Sequence, residues 1–431
     1  MCEQSLPPAF LQRMRAMLGA QADAFFASYE QPPLRGVRFR DARRPLPAEE
    51  LGAPIPYAVN ACLLSSGSAA GALPLHEAGA YYLQEPSAMA AAAVLVPRDG
   101  DRVLDLCAAP GGKSTQLAQS AKLSLLAANE PIPSRAQILS RNIERMGITN
   151  AVVTCAYPDA LAERWAGFFD KILVDAPCSG EGMFRRHPET RTEWTPDAPQ
   201  RCHERQITIL RSAARMLRPG GRMAYSTCTF NETENEGTVT AFLAEHPDFR
   251  LSPIRIPGLP EAPGGMLRLW PHLFPGEGHF VALLEKAGDA PAAATAPLPK
   301  PDRAAFAAWK AFCDETGCAL SANAAWNGRL LHAPECLPPL DRLRVLRVGL
   351  HLGEVRGKLF LPDHALALAD GIPRRLALDD KQAAAFLHGD ALPCGDDLRG
   401  WYAVTTQEYS LGFVKASGGM MKNHYPKGLR R

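Results

Sequence analysis

The stretch LDLCAAPGGKS at residues 104–114 is the clearest indication of the fold. Its apolar beginning predicts a strand, the small residues after it predict a tight turn, and a helix is expected to begin near Lys113. Small residues let a ligand approach the backbone, and the first turn of a helix exposes unpaired N–H groups. The stretch matches neither the phosphate-binding pattern G-x-x-x-x-G-K-[ST] nor G-x-G-x-x-G. We therefore expect a cofactor crevice at the carboxyl end of this strand.

Outward from this stretch, strand-like and helix-like segments alternate between about residues 71 and 286. The strand-like runs are 102–106, 124–129, 151–155, 169–175, 222–226 and 279–284, and helical stretches include 133–146 and 204–217. This alternation predicts an α/β fold with a mostly parallel sheet covered by helices on both faces.

Changes in composition predict the domain organisation. Residues 288–301 are rich in Ala and Pro, which is typical of a linker, and short strand-like runs between 344 and 414 predict a compact β-rich domain. The predicted parts are a basic N-terminal segment (1–70), the core (71–287), the linker (288–301), a connecting helical region (302–340) and the β-rich domain (341–431).

The overall composition excludes several classes of protein. The chain has 431 residues, of which 46% are hydrophobic and 21% charged, so it is neither disordered nor collagen-like. The apolar run around 88–96 is too short to span a bilayer, and residues 1–5 lack the basic and apolar regions of a secretory signal. Eleven scattered cysteines indicate reduced thiols rather than a disulfide framework. We therefore expect a cytoplasmic protein with no membrane association.

Polar residues follow the other predicted strands at the same edge of the sheet. Glu130 comes about 20 residues after the turn, where a carboxylate can hold two ribose hydroxyls; the alternative is an acid at a helix N-terminus. Asp159 follows the third strand as either an adenine contact or a solvated loop acid. Cys178 and Cys228 follow the fourth and fifth strands. A lone cysteine is most often a small buried hydrophobe, but two at matching positions favour a nucleophilic role.

Four motifs resemble those of the RNA cytosine-5 methyltransferases. They are AGAYYLQEPSAM (78–89), LDLCAAPGGKSTQLA (104–118), VDAPCSGEGMFRR (174–186) and YSTCTFNETENE (225–236). The segments 267–286 and 411–431 are similar to the bacterial RsmF-type subfamily, which acts on small-subunit ribosomal RNA. Thr233 departs from the family, which more often has an acid there. The resemblance implies a Rossmann-like class I methyltransferase core with a mostly parallel seven-stranded sheet, and a PUA-like C-terminal domain.

The resemblance also implies a role for each matching residue. Cys228 matches the nucleophile that adds to C6 of cytosine, and Cys178 matches the cysteine needed for loss of the C5 proton and for release. Asp175 matches the aspartate that binds the cytosine edge and supports charge at N3. The implied cofactor is S-adenosylmethionine, held by Cys107, Ala108, Ala109, Pro110, Gly111, Gly112, Lys113, Glu130, Arg135, Asp159 and Asp175.

Nucleic-acid binding has to come from local patches, because the formal net charge is only +2. Residues 35–44 carry five arginines and one aspartate, and residues 415–431 carry five Lys/Arg and no acid. Such runs are either solvated faces or RNA contacts, and the resemblance favours RNA. The predicted RNA contacts are Arg38, Arg40, Arg185, Arg186, Lys422, Lys427 and Arg430. A second basic face is predicted from Arg342, Arg344, Arg347, Arg356 and Lys358. The expected partner is ribosomal RNA or the small ribosomal subunit, bound by a monomer.

Other interpretations stay open on the sequence. A tRNA cytosine-5 methyltransferase would use the same core, whereas a DNA enzyme would use the cysteine of the Pro-Cys motif as nucleophile. An exocyclic amino methyltransferase would carry Asn/Asp-Pro-Pro-Tyr where Asp175-Ala-Pro-Cys178 stands. A non-catalytic RNA-binding factor would need neither cysteine. The spacing of Cys313, Cys318, His332 and Cys336 departs from a zinc knuckle, so we expect thiols and no metal.

Overall fold

The computed structural model describes residues 6–357 and 359–431. Residues 1–5, on which the expectation of no secretory signal rests, and Lys358 lie outside the described residues. The described part of the chain forms four sheets. None of its helices is long and apolar enough to cross a membrane.

Two helices and a small antiparallel sheet form the N-terminal part. The elements are α1 (Pro8–Leu18), α2 (Ala22–Ser28), β1 (Arg35–Phe39), β2 (Leu51–Pro54), β3 (Ala61–Leu64), α3 (Pro74–Glu77) and β4 (Tyr81–Gln84), with strand order β2-β3-β1-β4. Helix α1 begins at Pro8, whose fixed backbone suits a first helical position. Its Phe10 is fully buried and packs edge-on against Phe184 of the core, with ring centroids 5.1 Å apart.

The core alternates strands and helices as predicted. Its elements are α4 (Met89–Leu95), β5 (Arg102–Asp105), α5 (Gly112–Ser120), β6 (Leu125–Asn129), α6 (Pro133–Arg145), β7 (Ala151–Thr154), α7 (Pro158–Arg164), β8 (Phe169–Asp175), α8 (Thr190–Glu193), α9 (Ala198–Met216), β9 (Leu217–Thr227), α10 (Thr238–Glu245), β10 (Phe249–Leu251), β11 (Met266–Leu269) and β12 (His279–Lys286). The strand order is β10-β12-β9-β8-β5-β6-β7, with β11 also paired to β12.

The direction of the strands brings the candidate site residues to one edge. Neighbouring strands from β5 to β9 pair in parallel, and β12 runs antiparallel to β9. The carboxyl ends of parallel strands meet at the same edge of a sheet. One apolar cluster includes α7, α9 and α10, and another includes α4, α5 and α6, so helices cover both faces. The predicted doubly wound core is confirmed.

Strand β9 begins earlier than predicted. The sequence 218–221 (RPGG), which lies between the predicted helix 204–217 and the predicted strand 222–226, is part of β9. The pairing of β9 with β8 shifts register between Phe169 and Lys171, and Gly220 has a φ of +77°. A bulge of this kind lets a strand absorb residues that would otherwise end it.

Residues after the linker form two further units. Their elements are α11 (Arg303–Thr316), β13 (Ala324–Trp326), β14 (Arg329–His332), β15 (Val345–Val348), β16 (Leu350–Arg356), β17 (Leu359–Pro362), α12 (His364–Leu368), β18 (Arg375–Ala377), α13 (Asp380–His388), β19 (Leu392–Pro393), β20 (Gly400–Thr406), β21 (Tyr409–Ser417) and β22 (Met420–Asn423). One sheet has the order β13-β14-β16-β17, and the last has the order β18-β20-β21-β22-β19.

Strand β15 joins the core sheet, although the sequence assigned it to the β-rich domain. It pairs antiparallel with β7 and makes the core sheet nine-stranded in the described part of the chain. An open edge strand is prone to pair with another chain, and β15 covers the edge of β7. Its Val348 is fully buried, so apolar burial as well as hydrogen bonding holds it there.

Candidate active site

The turn between β5 and α5 is held from the side by α6. Gly111 has a φ of +111°, and a Cβ there would lie 3.2 Å from Leu139 Cδ1, so the position favours glycine. The side-chain amide of Asn142 donates to the Pro110 carbonyl at 2.9 Å. Arg135 Nη2 donates to the Ala109 carbonyl at 3.2 Å. The backbone that is predicted to face the cofactor is therefore fixed by two side chains of one helix.

Glu130 lies beside this turn at the end of β6. It is 2% exposed, and its Oε1 accepts a hydrogen bond from the Ile132 N–H at 3.0 Å. Arg135 Nη1 lies 3.3 Å from Glu130 Oε2, so the structure brings these two predicted cofactor residues together. Asp159 is exposed in the first turn of α7, where its Oδ1 accepts from the Ala160 N–H at 2.9 Å.

Asp175 ends β8 in the middle of the edge and is surrounded by donors. Lys113 Nζ donates to its Oδ2 at 2.8 Å, the Ser226 hydroxyl donates to its Oδ1 at 2.8 Å, and His279 Nε2 lies 3.4 Å from Oδ1. Burial alone would raise the pKa of Asp175, but the charge of Lys113 and contact with His279 outweigh it and hold this pKa well below its ordinary value. The site therefore contains an ionised carboxylate at neutral pH.

The two predicted cysteines meet at this edge. Cys178 Sγ and Cys228 Sγ lie 3.3 Å apart, and both thiols are free. The hydrogen bond to Cys228, with burial, raises the pKa of Cys178 well above its ordinary value. With its pKa raised in this way, Cys178 keeps its proton at neutral pH.

Three further residues at the carboxyl edge of the core sheet were not predicted from the sequence. Asp105 ends β5 fully buried; its Oδ2 accepts from the Ser114 hydroxyl at 2.6 Å, while no described atom hydrogen-bonds Oδ1. Burial raises the pKa of Asp105 to about 7. Ser226 and His279 are the other two, through their contacts with Asp175. Asp105 could have been predicted, because it is an acid at the end of the first strand of the core, β5. His279 could not, because it lies on β12, far along the chain from the other site residues.

Two of the predicted RNA contacts have side chains that are buried in the protein. Arg38 is 0% exposed and donates to the Gly112 carbonyl at 3.0 Å and to Thr115 Oγ1 at 2.6 Å, so it supports the start of α5. The side chain of Arg185 is 7% exposed and donates to Glu277 at 2.7 Å.

Two other arginines of that set are engaged by the protein itself. Arg40 pairs with Asp370 at 3.2 Å, and Arg186 donates to the Leu34 carbonyl at 3.0 Å. Of the second predicted basic face, Arg347 is buried against Glu144, and Lys358 lies outside the described residues.

The remaining predicted RNA contacts lie at the surface. Lys422, Lys427 and Arg430 are exposed near the C-terminus. In the described ranges 6–357 and 359–431, no three His, Cys, Asp or Glu side chains are grouped closely enough to hold a metal ion.

The parallel sheet, the glycine turn and the polar carboxyl edge define a Rossmann-like methyltransferase. Family models match along the chain: the N-terminal domain of 16S rRNA methyltransferase RsmF at 6–86, 16S rRNA methyltransferase RsmB/F at 92–285, the RsmF first C-terminal domain at 311–369 and the methyltransferase RsmF PUA domain at 373–431. The chain belongs to the RsmB/F family of 16S rRNA methyltransferases. The predicted family, the transferase class and the PUA-like C-terminal fold are therefore confirmed.

Individual relatives cover nearly the whole chain. Ribosomal RNA small subunit methyltransferase F of Erwinia tasmaniensis is 32% identical, and the alignment covers 99% of this chain and 97% of that protein. The protein of the same name from Serratia proteamaculans gives the same three values. A solved methyltransferase homolog from Pyrococcus horikoshii is 27% identical with a TM-score of 0.54, over 65% of this chain and all of that one.

Proposed function

We propose that this protein transfers a methyl group from S-adenosylmethionine to C5 of a cytosine in 16S ribosomal RNA, through a covalent bond between Cys228 and C6 that is resolved with Cys178. The observation that carries the proposal is the pair of free thiols, 3.3 Å apart, beside the ionised Asp175. Cytosine C5 is a poor nucleophile, and addition of a thiolate at C6 converts the base to an enamine whose C5 can attack a methyl group.

Asp175 suits the base edge in this reaction. As an ionised carboxylate it accepts hydrogen bonds, and its negative charge favours a proton at N3 while electrons move through the ring. Lys113 and Ser226 hold the carboxylate in place from two sides, so it does not have to be reoriented when the base arrives. Cys178 holds a proton at the start, and its position beside Cys228 suits the later loss of the C5 proton and breakage of the sulfur–C6 bond.

The residues around the turn fit S-adenosylmethionine. The Asp105 carboxylate has a buried oxygen that no described atom hydrogen-bonds, which is a ready acceptor for a cationic amino group. Glu130, which pairs with Arg135, would accept from two ribose hydroxyls, and the turn 107–113 would hold the methionine portion. Asp159, which is exposed after β7, would contact the edge of the adenine ring. When bound, the cofactor supplies the electrophilic methyl group on sulfur.

A basic cleft next to the turn supports binding of RNA. The cleft has a volume of about 450 Å³ and lies between α6 and the chain terminus; its lining includes Arg141, Arg145, Arg430 and Arg431, with Glu77 as its acid. Helix α6, which holds the cofactor turn through Arg135 and Asn142, forms one side of the cleft, and the end of the PUA domain forms the other. Flipping a cytosine out of a helix costs a few kcal/mol, which extended backbone contacts can offset.

Mapping 5-methylcytosine by bisulfite sequencing of total RNA, with and without the gene, tests this function. We expect loss of 5-methylcytosine at one or more positions of 16S rRNA and recovery with the wild-type gene but not with Cys228→Ala. Loss of 5-methylcytosine in tRNA alone would show that the substrate is tRNA and not 16S rRNA. An unchanged map would reject the methylation of cytosine.

We also propose that the protein acts as a cytoplasmic monomer on ribosomal RNA or the small ribosomal subunit. The ten described cysteines are all free, as expected for a chain in a reducing compartment. Light scattering during size exclusion should give the mass of a single chain, 46.6 kDa.

A further inference from the structure

A buried carboxylate connects the two loops that carry the cysteines. Glu234 lies in the π-helical segment Thr233–Gly237, and its side chain is 0% exposed. Its Oε2 accepts hydrogen bonds from the Ser179 N–H at 2.8 Å and from Gln206 Nε2 at 3.1 Å, and its Oε1 accepts from the Ser179 hydroxyl. Ser179 follows Cys178 directly, so Glu234 holds the first cysteine loop by both its backbone and its side chain.

Ser179 in turn reaches the loop of the second cysteine. Its Oγ lies 2.9 Å from Oγ1 of Thr229, the residue after Cys228. Since the Ser179 hydroxyl donates to Glu234, it accepts from the Thr229 hydroxyl. The carboxylate therefore sets the direction of a hydrogen-bond chain that crosses from one cysteine loop to the other.

Further contacts make this arrangement rigid. Gln206 of α9 also donates to the Pro177 carbonyl at 3.0 Å, and the Tyr225 hydroxyl donates to the Glu234 carbonyl at 2.6 Å. Burial raises the pKa of Glu234. An isolated buried carboxylate is costly, but three hydrogen-bond donors offset the loss of water. Nothing in the methyl-transfer steps above requires Glu234 itself.

We propose that Glu234 is a positioning residue that fixes the separation of the Cys178 and Cys228 sulfur atoms, and so the rate of the reaction, without contacting RNA or cofactor. This role rests on the proposed function, in which one sulfur attacks and the other assists release. Displacement of reacting groups by about 1 Å can lower a rate about 100-fold.

Three variants test the role. Glu234→Ala removes all three acceptor contacts, whereas Glu234→Gln keeps an acceptor for the Ser179 N–H and places an amide donor against the Ser179 hydroxyl. Glu232→Ala is the matched control, because Glu232 carries the same charge immediately before this segment but is exposed. We expect Glu234→Ala to lower kcat about 10- to 100-fold with little change in KM for RNA, and Glu234→Gln to restore most of it. Glu232→Ala should behave as wild type.

The second measurement does not depend on catalysis. Diamide removes two electrons and two protons from a pair of nearby thiols to form a disulfide, and peptide mapping identifies the Cys178–Cys228 cross-link. Cross-linking should be slower in Glu234→Ala than in wild type and Glu234→Gln. If Glu234→Ala does not fold, Ser179→Ala, which removes only the bridging hydroxyl, takes its place with the same expectation.

The outcomes separate this role from the proposed function. Wild-type kcat and cross-linking in Glu234→Ala would overturn the positioning role. A loss of kcat that Glu234→Gln does not restore would overturn it as well, since a general structural defect would then explain the loss. Full activity of Cys228→Ala together with slower cross-linking in Glu234→Ala would reject the covalent mechanism and keep Glu234 as the residue that positions the thiols.

Discussion

At the residue scale, two chemically identical side chains receive different roles from their surroundings. The sulfur atoms of Cys178 and Cys228 lie 3.3 Å apart. The contact with Cys228 and burial raise the pKa of Cys178, so this sulfur stays protonated. A protonated sulfur is a poor nucleophile, so the proposed reaction assigns the attack on the base to Cys228.

The first prediction separates these two sulfurs. Cys228→Ala removes the attacking sulfur, so methylation should fall to background with no protein–RNA adduct. Cys178→Ala should still attack and methylate, but it should fail to release, leaving an adduct that survives denaturing electrophoresis. Cys394→Ala, in the PUA domain, should have neither effect. An adduct in Cys228→Ala and none in Cys178→Ala would assign the nucleophile to Cys178 instead.

The second prediction concerns the carboxylate at the end of β6. Glu130→Ala should weaken binding of S-adenosylmethionine by roughly 1.5–3 kcal/mol for each charge-assisted hydrogen bond that it removes. Isothermal titration calorimetry measures the change, and Glu163→Ala, an exposed acid on α7, serves as the control. Unchanged affinity in a folded Glu130→Ala protein would remove Glu130 from the cofactor site.

At the scale of elements, helix α6 connects the cofactor turn to the N-terminal part. Asn142 holds the turn, and the end of the helix packs against Gly79. Gly79 has a φ of +66°, and a Cβ at this position would overlap the Arg145 carbonyl oxygen. The residues around Gly79 do not predict this contact, because it depends on Arg145, more than sixty residues later in the chain.

The third prediction follows from that contact. Gly79→Ala combines a left-handed backbone with overpacking, and it should destabilise the protein by about 2–4 kcal/mol. Gly100→Ala is the matched control, since Gly100 has a φ of +87° with no other atom near the added Cβ, and it should cost only about 1 kcal/mol. Circular dichroism during heating measures both. Equal shifts in the two unfolding temperatures would contradict the close approach.

At the scale of the whole molecule, the two ends of the chain pack together. Val37 of β1 and Val404 of β20 belong to one buried apolar cluster, so the N-terminal sheet and the PUA domain share a core. Glu77 adds polar contacts, because it pairs with Arg141 of α6 at 3.0 Å and with Arg431 at the C-terminus. These contacts fix the PUA domain beside the core, which orients its basic surface relative to the reaction centre.

The fourth prediction tests that surface. Reversing the charges of Lys422, Lys427 and Arg430 together should weaken RNA binding and make it less dependent on salt. The slope of the logarithm of the binding constant against the logarithm of salt concentration should fall by up to ~1 for each phosphate contact that is lost. Filter binding across a range of salt concentrations measures both quantities. Affinity for S-adenosylmethionine should stay unchanged.

The control for this prediction reverses three exposed cations outside the C-terminal segment, at Arg98, Lys122 and Arg303. It changes the net charge of the protein by the same amount. An equal decrease of the slope in both triple variants would show that net charge alone is responsible. Unchanged RNA binding in the C-terminal variant would mean that these side chains are only solvated.

Local sequence patterns predict the strand–turn–helix at 104–114, the alternating core, and the positions of Cys178 and Cys228 after adjacent strands. Hydrophobic periodicity and turn chemistry act between near neighbours, so they can be read along the chain. The same patterns do not show that Arg38 is buried under α5, that β15 covers the edge of the core sheet, or that Glu234 joins the cysteine loops. Each of these features depends on contacts between segments that are far apart in the chain. Such contacts, and not the local sequence, determine which side chains are buried and which groups they hydrogen-bond.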